Sequence, residues 1–113
     1  MEKTHLYVLW TNADPITSEH MVMLYTENAI RHNWWDKVTV IVWGATSRLI
    51  AENIDIQLLI KQGQEVGVEY VGCLYCAQQL KVDEKLRELG VELKYMGVEL
   101  TEIIKGKKHL ITV

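Results

Sequence analysis

The sequence predicts an α/β fold: a three-layer α/β/α sandwich around a five-stranded parallel sheet. Three observations carry that expectation. Strand-like and helix-like stretches alternate along the whole chain, which is the order of a sheet covered by helices on its faces. The two strongest strand-like runs, HLYVLWT at 5–11 and KVTVIVW at 37–43, are almost continuously apolar, as strands buried on both faces are. Each connection between strand-like runs is about a dozen residues or longer, the length a parallel crossover needs. Such crossovers are right-handed.

Each element has its own signal. The first strand covers His5 to Thr11. Ser18 can cap a helix running to about Trp34, with Met21, Leu24, Tyr25, Asn28 and Ala29 along one stripe. Pro15 lies just upstream, where it interrupts nothing. The second strand is Lys37 to Trp43, and Thr46 or Ser47 starts a short helical turn around Arg48–Glu52. Asp55 is placed to cap a helix through Ile56, Leu59 and Ile60 to Glu65, stopped by Gly67. The third strand is Val68 to Gly72, followed by a helical turn over Cys76–Leu80 and a helix over Asp83–Leu89 that ends at Gly90. Val91 to Met96 is the fourth strand, Leu100–Lys105 a short helix ended by Gly106, and His109 to Val113 the last strand.

Bulk composition narrows the function. The 113 residues fit one domain, taken here as residues 1–113. Hydrophobic content of 49% and charged content of 24% are those of an ordinary globular chain. A formal net charge of −3 speaks against a nucleic-acid binder, which needs a basic face. No apolar run approaches the ~20 residues of a membrane span. The start, Met1-Glu2-Lys3-Thr4, leads straight into a strand-like run without a signal-peptide pattern. A cytoplasmic location is therefore expected, and there a Cys-x-x-Cys is redox-active, catalytic or metal-binding more often than a structural disulfide.

The two cysteines, Cys73 and Cys76, lie in VGCLYCAQQL at 71–80. Open parallel sheets gather ligands beyond the C-terminal ends of their strands. That rim takes Asn12 and Asp14 after strand one, Gly44 and Ser47 after strand two, both cysteines after strand three, and Met96 and Gly97 after strand four. His5 and His109 begin strands and belong to the opposite rim. A cysteine at a strand-to-helix turn meets free N–H groups and a partial positive charge, which favour the reactive thiolate. In the usual Cys-x-x-Cys arrangement the first thiol is the more exposed nucleophile and the second resolves it. By that rule Cys73 attacks and Cys76 resolves. The plain alternative is that one or both are small buried hydrophobes. A structural zinc site lacks its other ligands within the chain, so no metal is expected unless subunits share one. The loop after strand one, Asn12-Ala13-Asp14-Pro15, has no glycine-rich phosphate fingerprint, so no nucleotide or other cofactor is expected. Trp34 and Trp35 are adjacent and cannot share one core stripe, which leaves one of them exposed or at an interface.

The chain resembles the DsrE/DsrF-like family of small sulfur-relay proteins. The resemblance rests on the opening strand and its Asp14-Pro15 loop, on Val38–Gly44, and above all on Val71-Gly72-Cys73-Leu74-Tyr75-Cys76-Ala77 with Lys81-Val82 beyond. The tail adds Gly90-Val91-Glu92-Leu93, Met96-Gly97 and Leu100-Thr101-Glu102, so the likeness spans essentially the whole chain. A glycine that family members often carry beside the hydrophobic residue of the Lys81-Val82 pair is absent. The resemblance implies a Rossmann-like sandwich with strand order 4-3-2-1-5 and a homo-oligomer, commonly a trimer or hexamer. It implies a persulfide on Cys73, taken from a sulfur-donor protein and passed to an acceptor protein, in a sulfurtransferase-like role. Two other readings stand beside it: a non-enzymatic oligomeric subunit with structural thiols, and a thiol–disulfide oxidoreductase using Cys73 and Cys76.

Overall fold

The computed structural model describes residues 4–113. Its strands are β1 (His5–Trp10), β2 (Lys37–Val42), β3 (Glu69–Cys73), β4 (Glu92–Lys94) and β5 (His109–Thr112). All neighbours pair in parallel, and the order across the sheet is 4-3-2-1-5. The helical elements are α1 (Pro15–Thr17), a π-helical segment (Ser18–Met23), α2 (Leu24–Arg31), α3 (Thr46–Glu52), α4 (Ile54–Val66), α5 (Leu74–Gln79), α6 (Asp83–Glu88) and α7 (Met96–Lys105). This is a Rossmann-like α/β fold. No helix among the described residues is long and apolar enough to cross a membrane.

Strand order decides which face each helix covers. The steps β1 to β2, β2 to β3 and β3 to β4 all advance toward the same edge, so right-handed crossovers stack their helices on one face. The step from β4 to β5 runs back across the sheet, and α7 lands on the other face. Two hydrophobic cores result. The larger joins Leu6, Val8 and Trp10 of β1 to Val38, Val40 and Val42 of β2, under Val22, Ile50, Ile56, Ile60 and Leu86. The smaller joins Ile41 and Val71 to Met96 and Ile103 of α7. One ten-residue helix cannot cover a whole face, so Tyr7, Leu9 and Leu110 stay only partly buried there. Hence β1 alternates between buried and half-buried residues, whereas Val38–Val42 of the central β2 is buried throughout.

The first helical stretch departs from the sequence expectation. Asp14, not Ser18, is the N-cap, and its carboxylate accepts from the Thr17 N–H at 3.3 Å and the Thr17 hydroxyl at 2.9 Å. Pro15 sits in the first turn, where its missing N–H costs nothing. Ser18 is inside the helix and fully buried; its hydroxyl donates to the Asn12 carbonyl at 3.0 Å and accepts from the Trp10 indole at 3.1 Å. The π segment inserts an extra residue into the turn. It rotates the apolar stripe, so Ser18, Val22, Met23, Thr26 and Ala29 are buried while Met21 and Leu24 are 38% and 55% exposed. The helix ends at Arg31, and the two tryptophans follow it. Trp34 is exposed, whereas the Trp35 indole donates to the Tyr25 hydroxyl at 3.2 Å.

Other boundaries differ as well. Asn53, not Asp55, caps α4, its side-chain oxygen accepting from the Ile56 N–H at 3.0 Å. β3 extends through Cys73, and α5 begins at once with Leu74. β4 stops at Lys94, and the following helix starts at Met96 instead of Leu100. Met96 is buried against Ile41 and Val71, which fixes the start of α7 close to the sheet.

Candidate functional site

The site begins with a glycine. A Cβ on Gly72 would come within 2.9 Å of the Leu93 side chain and 3.3 Å of the Val91 side chain, so glycine here makes room for those two side chains over β3. The next residue, Cys73, ends the strand in extended conformation and caps α5. Its Sγ accepts the Cys76 backbone N–H at 3.4 Å. Cys73 is 7% exposed, while Cys76, one turn further on, is half-buried. The exposure order is the reverse of the one expected from Cys-x-x-Cys practice, because capping turns the first sulfur inward over the helix end. Both cysteines are free thiols.

Cys76 opens onto a groove of about 330 Å³. The turn after β2 contributes Gly44 and Ala45, α3 contributes Arg48, and α5 with its C-cap contributes Tyr75, Gln79 and Leu80 beside the thiol. Gly44 has φ +68, the left-handed region that a side chain disfavours, and that turn brings its backbone to the sulfur. Burial pushes the Cys76 thiol above the ordinary range, and the Cys73 sulfur pushes it further; the Gly44 backbone N–H pulls the other way. A larger depression of about 470 Å³ lies between α4 and the end of α6, lined by Ile54, Leu58, Lys61 and Glu88 among others, and holds no thiol.

The structure sorts the expected rim residues. Gly44 and Cys76 meet in the groove, with Cys73 directly behind Cys76. Asn12 and Asp14 are exposed but engaged: the Asn12 side chain accepts from the Asp14 N–H at 2.9 Å, and Asp14 caps the helix. The Thr17 hydroxyl, and then its N–H, hold the Asp14 carboxyl below its usual range. Ser47 is fully buried and its hydroxyl has no hydrogen-bond partner among the described residues. Met96 is core, and Gly97 is exposed, its carbonyl accepting from the Thr101 hydroxyl at 2.7 Å. None of these five lines the groove. Arg48, Tyr75 and Gln79 do, and the sequence reading did not select them. The signal for Arg48 was its spacing one turn after Gly44.

On the opposite rim, His5 and His109 flank a shallow depression with Lys107 and Lys108. Burial, and then Lys37, lower the His5 pKa. No cluster of three or more His, Cys, Asp or Glu side chains among the described residues is arranged to hold a metal ion.

No family model and no curated protein matches this chain. A solved structure of a conserved protein of unknown function from Bacteroides thetaiotaomicron is similar, with a TM-score of 0.94 and 28% identity over 96% of this chain and 94% of that one. The likeness supports the fold and carries no activity with it.

Proposed function

We propose that this protein is a sulfur carrier of the DsrE/DsrF-like kind, acting through Cys73 and Cys76. The observation that carries the reading is a half-buried free thiol in a groove at the C-terminal rim, on a residue whose backbone N–H donates to the sulfur of a second free cysteine. Cys76 faces the groove, so it takes the carrier role that the sequence assigned to Cys73. Its thiolate attacks the outer sulfur of a donor persulfide. The donor S–S bond breaks, the donor leaves as a thiolate, and Cys76 holds the transferred sulfur as a persulfide. An acceptor protein then removes that sulfur. Alternatively Cys73 attacks the inner sulfur, hydrosulfide leaves, and a Cys73–Cys76 disulfide remains for an external thiol to reduce. A reducing cytoplasmic setting suits both routes.

Intact-mass measurement after exposure to polysulfide tests this. Cys73→Ser should gain about one sulfur atom that reductant removes, wild type should gain one or, by the second route, lose two hydrogens, and Cys76→Ser should gain none. Sulfur on Cys76→Ser but not on Cys73→Ser would return the carrier role to Cys73. Loss of two hydrogens in wild type beside sulfur gain in Cys73→Ser would fit the second route; the same loss with no sulfur gained by Cys73→Ser would make the pair a thiol–disulfide couple instead. No change in any sample would leave Cys73 as a structural cap and end the sulfur reading.

A further inference from the structure

Arg48 stands in the same groove as Cys76 and has no carboxylate partner among the described residues. The contrast with its fellows is informative. Arg31 pairs with Glu27 at 2.8 Å and Arg87 with Asp83 at 3.2 Å, each one helical turn back. One turn back from Arg48 lies Gly44, which offers no side chain, and Glu52 one turn ahead is not in contact. Among the described residues no Asp or Glu lines the groove, and its other polar side chains are Gln79 and the Tyr75 phenol. The rest of the lining is mostly apolar, with Ala45, Leu80 and the Tyr75 ring. A volume of about 330 Å³ suits a small molecule rather than a folded partner.

We infer that the groove binds a low-molecular-weight organic persulfide carrying a carboxylate, with the carboxylate on Arg48 and the outer sulfur on Cys76. This deepens the sulfur-carrier reading and rests on it. A guanidinium meets a carboxylate through two parallel N–H donors, which fixes the donor's direction as well as its charge. The carbon stem lies along the apolar wall and the persulfide end reaches the thiol. In the transfer the Cys76 thiolate attacks the outer sulfur, a Cys76 S–S bond forms, the donor S–S bond breaks, and the donor departs as its thiolate. No electrons are gained or lost overall.

Two matched donors test the assignment: the persulfide of 3-mercaptopropionate, which is anionic, and that of 2-mercaptoethanol, which is neutral. The readout is the initial rate of sulfur gain by intact mass at subsaturating donor. Wild type should favour the anionic donor by roughly three- to fivefold, the scale of one ion pair on an exposed arginine. Arg48→Gln should bring the ratio close to one through a higher KM for the anionic donor. Arg48→Lys should keep part of it, and Lys61→Gln, in the other depression, should leave it intact. Added salt should shrink the wild-type preference. A wild-type ratio near one, or an undiminished ratio in Arg48→Gln, would overturn the inference. A second arm separates it from the parent reading. The unreactive 3-(methylthio)propionate should protect Cys76 from iodoacetamide in wild type but not in Arg48→Gln. Protection without sulfur gain would keep the carboxylate site and reject sulfur uptake; neither protection nor preference would reject the site.

Discussion

The loop after β1 and the turn after β2 end neighbouring strands on the same rim, yet only one is chemically open. In the first loop every conspicuous polar group is engaged locally. The Trp10 indole donates to the Asn12 carbonyl at 3.0 Å and to Ser18, Asn12 accepts from Asp14, and Asp14 caps the helix. After β2, Gly44 presents bare backbone and Arg48 has no ion-pair partner among the described residues, in a groove shared with a thiol from α5. Residue type alone would rank the first loop as the richer site. What separates them is how far the local chain satisfies its own polar groups.

The strongest way to break the comparison is to unlock the first loop. Trp10 is fully buried and ties β1 to the helix through Asn12 and Ser18. Trp10→Ala should cost about 3–5 kcal/mol of stability, chiefly from the lost ring and its cavity. Urea unfolding measures it, and a loss below 1 kcal/mol would mean that the loop is not held by that lock. The opposite turn responds less. A Cβ at Gly44 meets nothing within 4 Å, so Gly44→Ala suffers only from its φ of +68. That strain is worth about 1–2 kcal/mol. The Gly44 N–H, which alanine keeps, favours the Cys76 thiolate only while the turn holds it on the sulfur, so relaxation of the φ strain in the same variant should slow alkylation of Cys76 at neutral pH. Unchanged alkylation would show that the turn does not tune the thiol.

Much of the fold was legible because its signals are repetitive and redundant. Continuous apolar runs marked β1 and β2, and crossover lengths fixed parallel pairing. The order 4-3-2-1-5 came from the resemblance and is the order observed. What escaped were features decided by a single hydrogen bond. A π turn has no signature in residue type, so the stripe through Met21 and Leu24 was misplaced. Asn53 and Asp55 are both good caps, and only backbone geometry chose Asn53. Strand ends correctly gathered Cys73, Cys76 and Gly44 on one rim. Which thiol faces solvent depended on Cys73 turning inward to cap α5, which spacing does not reveal.

Ser47 sharpens that lesson with a smaller effect of opposite sign. It lies in the first turn of α3, directly after the open turn, yet its hydroxyl is buried and unpartnered among the described residues. Removing a desolvated hydroxyl that holds no hydrogen bond should raise stability, by up to about 1 kcal/mol. Ser47→Ala should therefore unfold at higher urea and leave Cys76 alkylation as in wild type. Destabilisation would mean that the hydroxyl has a role in the turn after all.

The finest comparison is between the two sulfurs. Burial is the largest cause of the raised Cys76 pKa, and Cys73 adds to it both as a hydrogen-bonding neighbour and as a like charge when ionised. An acid held above its ordinary range stays protonated longer as pH rises. Iodoacetamide should thus label Cys76 more slowly than a free cysteine at neutral pH, with the rate still climbing where the free thiol has levelled off. Cys73→Ser removes the like charge but keeps an oxygen to cap α5. The Cys76 profile should then move to lower pH without reaching that of a free thiol, because burial remains. A profile that does not move would show that the sulfurs ionise independently, and the pair would lose its claim to act as one site. A profile that falls fully into the ordinary range would instead make Cys73, not burial, the dominant control on the groove-facing thiol.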